Sequence, residues 1–154
     1  MTAYVDANLL VRLYLDFDGK QEAHDLLMGA EMRKAWPIQV TTLLRIEFTN
    51  ALQRMVFESR TGGQWRVSPE AAAAALGEFH EHLRAGVFLK TIELSLEEVE
   101  SQFDELAARH TARHGFRTYD VLHVACALRL RCERFLSFDV KARRLAKLEG
   151  LKTN

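Results

Sequence analysis

Apolar and polar positions follow two rhythms along this chain. Short runs rich in β-formers recur at Thr2–Val5, Pro37–Thr41, Lys90–Leu94 and Arg134–Phe138, each bounded by polar residues or turn formers as a strand would be. Between them, apolar residues return every three or four positions, the period of a helix that buries one face. That period predicts helices over Asn8–Tyr14, Gln21–Glu31 and Thr42 to about Glu58, others opening at Ser68-Pro69-Glu70 and at Ser95, and two more around Asp120 and over Val140–Glu149. End signals agree with these limits. Ser68 before Pro69 and Ser95 before Glu98 are helix starts. Gly115 and Gly150 stand where helices stop, Ser59–Gln64 is a loop, and Leu151–Thr153 is a candidate last strand. Strands alternating with helices predict one α/β domain, residues 1–154, on a central, mainly parallel sheet of four to five short strands with helices on both faces.

Composition adds little to the fold and something to the chemistry. The chain has 154 residues, 48% of them hydrophobic, enough for a core of its own. Formal net charge is zero, so overall charge favours no class of partner. Its distribution is uneven: from Arg109 onward, eleven Lys and Arg face four acids, Asp120, Glu133, Asp139 and Glu149. A basic C-terminal third suits a protein that handles phosphate, and it equally suits a solvated helix face. Cys126 and Cys132 form neither a CxxC pair nor a zinc pattern, which implies free thiols in a reducing compartment. No segment is apolar enough to span a membrane, and MTAYVDANLL lacks the marks of a signal peptide. A cytoplasmic protein is expected.

Four acids stand out by position. Asp6 and Asp139 each follow a predicted strand, at the end where open parallel sheets bind ligands. Asp120 lies in the first turn of its helix. Glu47 lies within the apolar stripe Leu43, Leu44, Ile46, Phe48, Ala51, Leu52 and Met55, where a carboxylate needs a partner. Each has an ordinary alternative: a helix cap for Asp6 or Asp139, a favourable dipole for Asp120, a salt bridge with Arg45 or Arg54 for Glu47. Together they point at one end of one sheet, and carboxylates that close require cations to stay ionised. An all-oxygen donor set suits Mg²⁺ or Mn²⁺, which can activate water and stabilise a leaving oxygen at phosphorus.

These residues carry a resemblance. YVDANLLVRL, LLRIEFTNAL, TYDVLHVACAL and FLSFDVKARRLAKLEGL resemble, in order and spacing, the PIN-domain family, and within it the VapC-like toxins of bacterial toxin–antitoxin pairs. The resemblance implies an Mg²⁺- or Mn²⁺-dependent endoribonuclease that hydrolyses RNA phosphodiesters by metal-activated water. It implies that Asp6, Glu47, Asp120 and Asp139 are the catalytic, metal-holding acids, with Asn8 and Ser137 as polar groups behind them. A homodimer and a cognate antitoxin are implied as well. Ser137 stands where the family more often has Thr, and His123 where an apolar residue is usual.

Other residues have weaker claims. Arg113, Arg117, Lys141 and Arg143 flank the acids and could hold an RNA backbone, since phosphate contacts position a strand without reading it. Trp65 and Phe116 could stack bases. His110 and His114 have a spacing zinc can use but no neighbouring Glu, so a solvated or RNA-facing cluster is expected. The rival enzymatic reading is a haloacid-dehalogenase-like phosphatase, which wants an Asp where Asn8 stands. A non-catalytic RNA- or protein-binding module on the same scaffold is the rival from another class.

Overall fold

The computed structural model describes residues 1–154. Strand β1 (Ala3–Val5) leads into α1 (Ala7–Tyr14), α2 (Lys20–Met28) and the short α3 (Ala30–Arg33). Strand β2 (Ile38–Val40) is followed by the long α4 (Thr42–Arg60) and by α5 (Pro69–Ala85). Then come β3 (Leu89–Thr91), α6 (Leu96–Leu106), a π-helical turn (Ala107–Thr111), α7 (Ala112–His114), α8 (Thr118–Arg129), β4 (Arg134–Leu136) and α9 (Val140–Leu148). The caps read from sequence are present. Ser68 and Ser95 accept the Ala71 and Glu98 backbone N–H groups, and Glu98 closes a capping box on Ser95.

All strand pairing is parallel. β1 pairs with β4, Val5 opposite Leu136, and β2 with β3, Val40 opposite Thr91. The sheet is thus two short parallel ladders, with β2 packed alongside β1. Two expectations shift. The third strand is Leu89–Thr91 rather than Lys90–Leu94, because Leu89 fills the core while Ile92 is half-buried. The last strand, expected over Leu151–Thr153, shrinks to a single bridge between Lys152 and Arg134.

Strand alternation sends side chains to two cores, one on each face. Ala3, Val5 and Leu136 pack with α1, α4 and α5 around Phe48 and Phe79. Tyr4 and Phe135 face the other way, into α6, α8 and α9. Helices therefore cover both faces. Cys126 and Cys132 are buried and free, and burial pushes their thiols up to about 11 and about 12. The carboxyl ends of β1, β2 and β4 open on one side, where α1, α4 and α9 begin.

Candidate active site

Parallel strands followed within a few residues by helices put residues just beyond a strand at a helix N-terminus, where backbone N–H groups favour a carboxylate. Asp6, following β1, caps α1: its Oδ1 accepts the Leu9 N–H at 3.3 Å. Its Oδ2 turns the other way and accepts from Asn8 Nδ2 at 2.9 Å and from the Ser137 hydroxyl. Asp139, following β4, caps α9 in the same divided fashion. Oδ1 accepts the Lys141 and Ala142 N–H groups at 2.8 and 3.2 Å, and Oδ2 takes Arg117 Nη2 at 2.6 Å. The cap and the site are two uses of one side chain, so the ordinary alternatives for these acids hold alongside the functional one.

Asp120 sits one turn into α8, buried, and accepts the Arg117 N–H at 3.2 Å. The Arg117 guanidinium reaches it through Nε at 3.2 Å and Nη2 at 3.3 Å. Arg117 thus clasps Asp120 and Asp139 together, and these carboxylates in turn raise its pKa. Glu47 projects from the middle of α4, and its partner is neither Arg45 nor Arg54. Arg54 pairs with Glu58 one turn on and Arg45 reaches Thr42, whereas Glu47 accepts from His123 Nε2.

Asp6, Asn8, Glu47, Asp120 and Asp139 all line one cleft of about 550 Å³, with Arg117, His123, Tyr119, Asn50 and Arg54 on its walls. Ser137 lies beneath, fully buried, its Oγ accepting the Asp139 N–H at 2.8 Å while its proton goes to Asp6. Asn8 also accepts the Phe138 N–H at 2.8 Å, which ties the two strand ends together. Burial raises the Asp6 carboxyl to about 7, against the lowering effect of the Ser137 hydrogen bond and His123.

Not every expectation lands in the cleft. Arg117 is on its wall, but Arg113 and Lys141 are exposed outside it, and Arg143 lines a neighbouring groove with Arg144 and Lys147. His110 is not part of a solvated cluster: it is half-buried on the π-helical turn, 2.5 Å from Glu149, with His114 stacked beside it. Phe116 is buried against His114 and so is not free to stack a base, while Trp65 is half-buried and packs on Phe17 outside the cleft.

No three acidic, imidazole or thiol side chains converge on one point; Arg117 and His123 hold three of the carboxylates. The donor chemistry nevertheless suits a hard divalent cation: every candidate ligand is a carboxylate oxygen. Asp120 and Asp139 already share one positive group, the Arg117 guanidinium, whose side chain is 67% exposed. A carboxyl as buried as Asp6 ionises more readily beside a cation. The residues fit a metal.

The roles of two wall residues toward the acids escaped the sequence reading. His123 lies three residues after Asp120, on the same helix face, and that spacing was the available signal. Arg117 as an internal clamp left no signal, since it needs the fold to bring Asp139 within reach.

Comparison with curated protein sequences finds no match for the chain. Among solved structures, the Mycobacterium tuberculosis toxin VapC20, described as a sarcin–ricin loop cleaving toxin, superposes with a TM-score of 0.63 at 18% identity, over 93% of this chain and 94% of that one. VapBC2 from Rickettsia felis, bound to a DNA fragment from its promoter, also gives 0.63, at 16% identity over 100% and 98%. These likenesses concern the fold. A model of the PIN domain matches residues 3–148, nearly the whole alternation of strands and helices just described, and the chain belongs to the PIN domain family.

Proposed function

We propose that this protein is a divalent-metal-dependent endoribonuclease and the toxin of a toxin–antitoxin pair. One observation carries the reading. Four carboxylates from well-separated parts of the chain, Asp6, Glu47, Asp120 and Asp139, line a single cleft at the carboxyl ends of parallel strands. A scaffold that gathers so much negative charge destabilises itself unless a cation resides there.

Each residue then has a task. Asp6, fixed by Leu9, Asn8 and Ser137, would anchor the cation from the sheet side. Asp120 and Asp139 hold it from α8 and α9, and Glu47 faces them from α4. A bound Mg²⁺ or Mn²⁺ would supply Lewis acidity for water and for the phosphoryl oxygens. Asn8 and Ser137 keep the acids in register. Arg117, released from the two carboxylates, is a cation on the cleft wall available to a phosphate oxygen. Arg113, Lys141 and Arg143 lie outside the cleft, where they would hold the flanking RNA backbone.

The phosphatase alternative loses ground here, because Asn8 is committed to Asp6 and Phe138 and supplies no acid. The two structural neighbours, one described as a sarcin–ricin loop cleaving toxin and one as VapBC2 bound to promoter DNA, support the toxin reading and a cognate antitoxin as its partner. A homodimer belongs to the same reading. No helix is long and apolar enough to cross a membrane; a cytoplasmic site of action belongs to the toxin reading.

The test is cleavage of total RNA by the purified protein. Cuts that require Mg²⁺ or Mn²⁺ and disappear with EDTA and with Asp6→Asn would support the reading. Undiminished cutting by Asp6→Asn would remove it.

A further inference from the structure

His123 has no role in the scheme of four carboxylates, yet it touches that scheme. It is 3% exposed and ties three elements together. From α8 its Nε2 meets the Glu47 carboxylate on α4, and its Nδ1 lies 2.8 Å from the Tyr4 hydroxyl on β1. Tyr4 is fully buried, and its hydroxyl also lies 3.4 Å from Thr41 Oγ1, at the start of α4.

With Glu47 ionised and the ring neutral, the protons in this chain have one consistent direction. The carboxylate only accepts, so the ring carries its hydrogen on Nε2 and accepts at Nδ1. Tyr4 then donates to Nδ1. Thr41 Oγ1 accepts the Leu44 N–H at 3.2 Å, which leaves its own proton for the Tyr4 oxygen. Every donor has an acceptor, and the end of the chain is one oxygen of Glu47. The other oxygen has no protein partner and Glu47 lines the cleft. A glutamate on a half-exposed helix otherwise samples many rotamers.

We infer that His123, held at Nδ1 by Tyr4 and at Nε2 by Glu47 itself, is a positioning residue that orients Glu47 so that its free oxygen faces the cleft where a cation would bind. This deepens the nuclease reading and rests on it. It gives a physical reason for a histidine in an otherwise apolar stretch: a leucine would fill the space but leave Glu47 untethered. Partners of this kind are worth about 10- to 100-fold in metal affinity.

The experiment is Mn²⁺ binding by titration calorimetry at one pH, on wild type, Asp6→Asn, His123→Leu, His123→Gln and Tyr4→Phe, each checked for folding by its melt. His123→Leu is expected to weaken Mn²⁺ binding about tenfold or more. His123→Gln, whose amide N–H can still reach Glu47, restores most of it, and Tyr4→Phe falls between. If His123→Leu does not fold, Tyr4→Phe, which keeps the ring, carries the test by its own loss of affinity. Wild-type affinity in folded His123→Leu, or in Tyr4→Phe where that variant stands in for it, or equal losses in the Leu and Gln variants, would overturn the inference. If Asp6→Asn abolishes binding while His123→Leu leaves it intact, His123 alone has failed. If wild type and Asp6→Asn bind Mn²⁺ alike, the carboxylate site has failed and the role of His123 falls with it.

Discussion

A carboxylate has two oxygens, and Asp6 and Asp139 use them for different ends, one on a helix N-terminus and one in the cleft. That division lets a family of loose motifs build a charged site without surrendering helix caps. It also has a consequence for pH. Burial, the largest cause, lifts the Asp6 carboxyl to about 7, far above its value in an unfolded chain. A raised folded-state pKa means the native state binds the proton more tightly. The associated stability is therefore present in full below the unfolded value and is lost as pH climbs through about 7. In a chelating buffer, the melting temperature of wild type should fall between about pH 4 and pH 7, and Asp6→Asn should flatten that part of the profile. Added Mn²⁺ should restore the wild-type value at the upper end, by binding the ionised carboxylate of the native state. A wild-type profile no steeper than that of Asp6→Asn would contradict the burial account. The acids themselves were legible in the sequence because each follows a strand or interrupts an apolar stripe. Their partners were not: Glu47 sits 76 positions from His123, and nothing in its own helix indicates an imidazole rather than Arg45 or Arg54.

Elements were legible where local chemistry decides them. Ser68-Pro69 and Ser95…Glu98 start their helices as read, because a cap needs only its own few residues. Limits set by tertiary packing were missed. β3 begins one residue early to place Leu89 in the core, and the final strand is cut to one bridge. The run Ala107–Thr111 widens into a π turn inside what the apolar period reads as one helix, and there His110 pairs with Glu149. The double duty of Asp139 can be separated at this scale. Asp139→Asn keeps a side-chain oxygen for the Lys141 and Ala142 N–H groups, so α9 should hold while Mn²⁺ binding is lost. Asp139→Ala should lose the cation and also about 1 kcal/mol of stability, measured by urea denaturation. Equal stability of the two variants would mean that the cap contributes nothing.

At the scale of the molecule, the two cores hold β1 and β4 between helices on both faces, and this brings Asp6 and Asp139 together across 133 positions of chain. The fold class and the single domain followed from alternation alone. The division of the sheet into two ladders did not, since strands of three residues leave register to the packing around them. The basic C-terminal third becomes a groove of Arg143, Arg144 and Lys147 one helix turn beyond the cleft. If RNA runs along it, Arg143→Ala with Arg144→Ala should weaken RNA binding at any sequence. The pair should also reduce the slope of log affinity against log salt by about 0.7 for each phosphate no longer neutralised. An unchanged slope would take the strand elsewhere.

Anomalous diffraction from crystals soaked in Mn²⁺ tests the central claim most directly. A peak within the cleft, ligated by Asp6 and by Asp120 or Asp139 with the Arg117 guanidinium moved away, is the predicted result. Crystals soaked at a concentration that supports RNA cleavage, with no peak there and Arg117 still clasping both carboxylates, would contradict it.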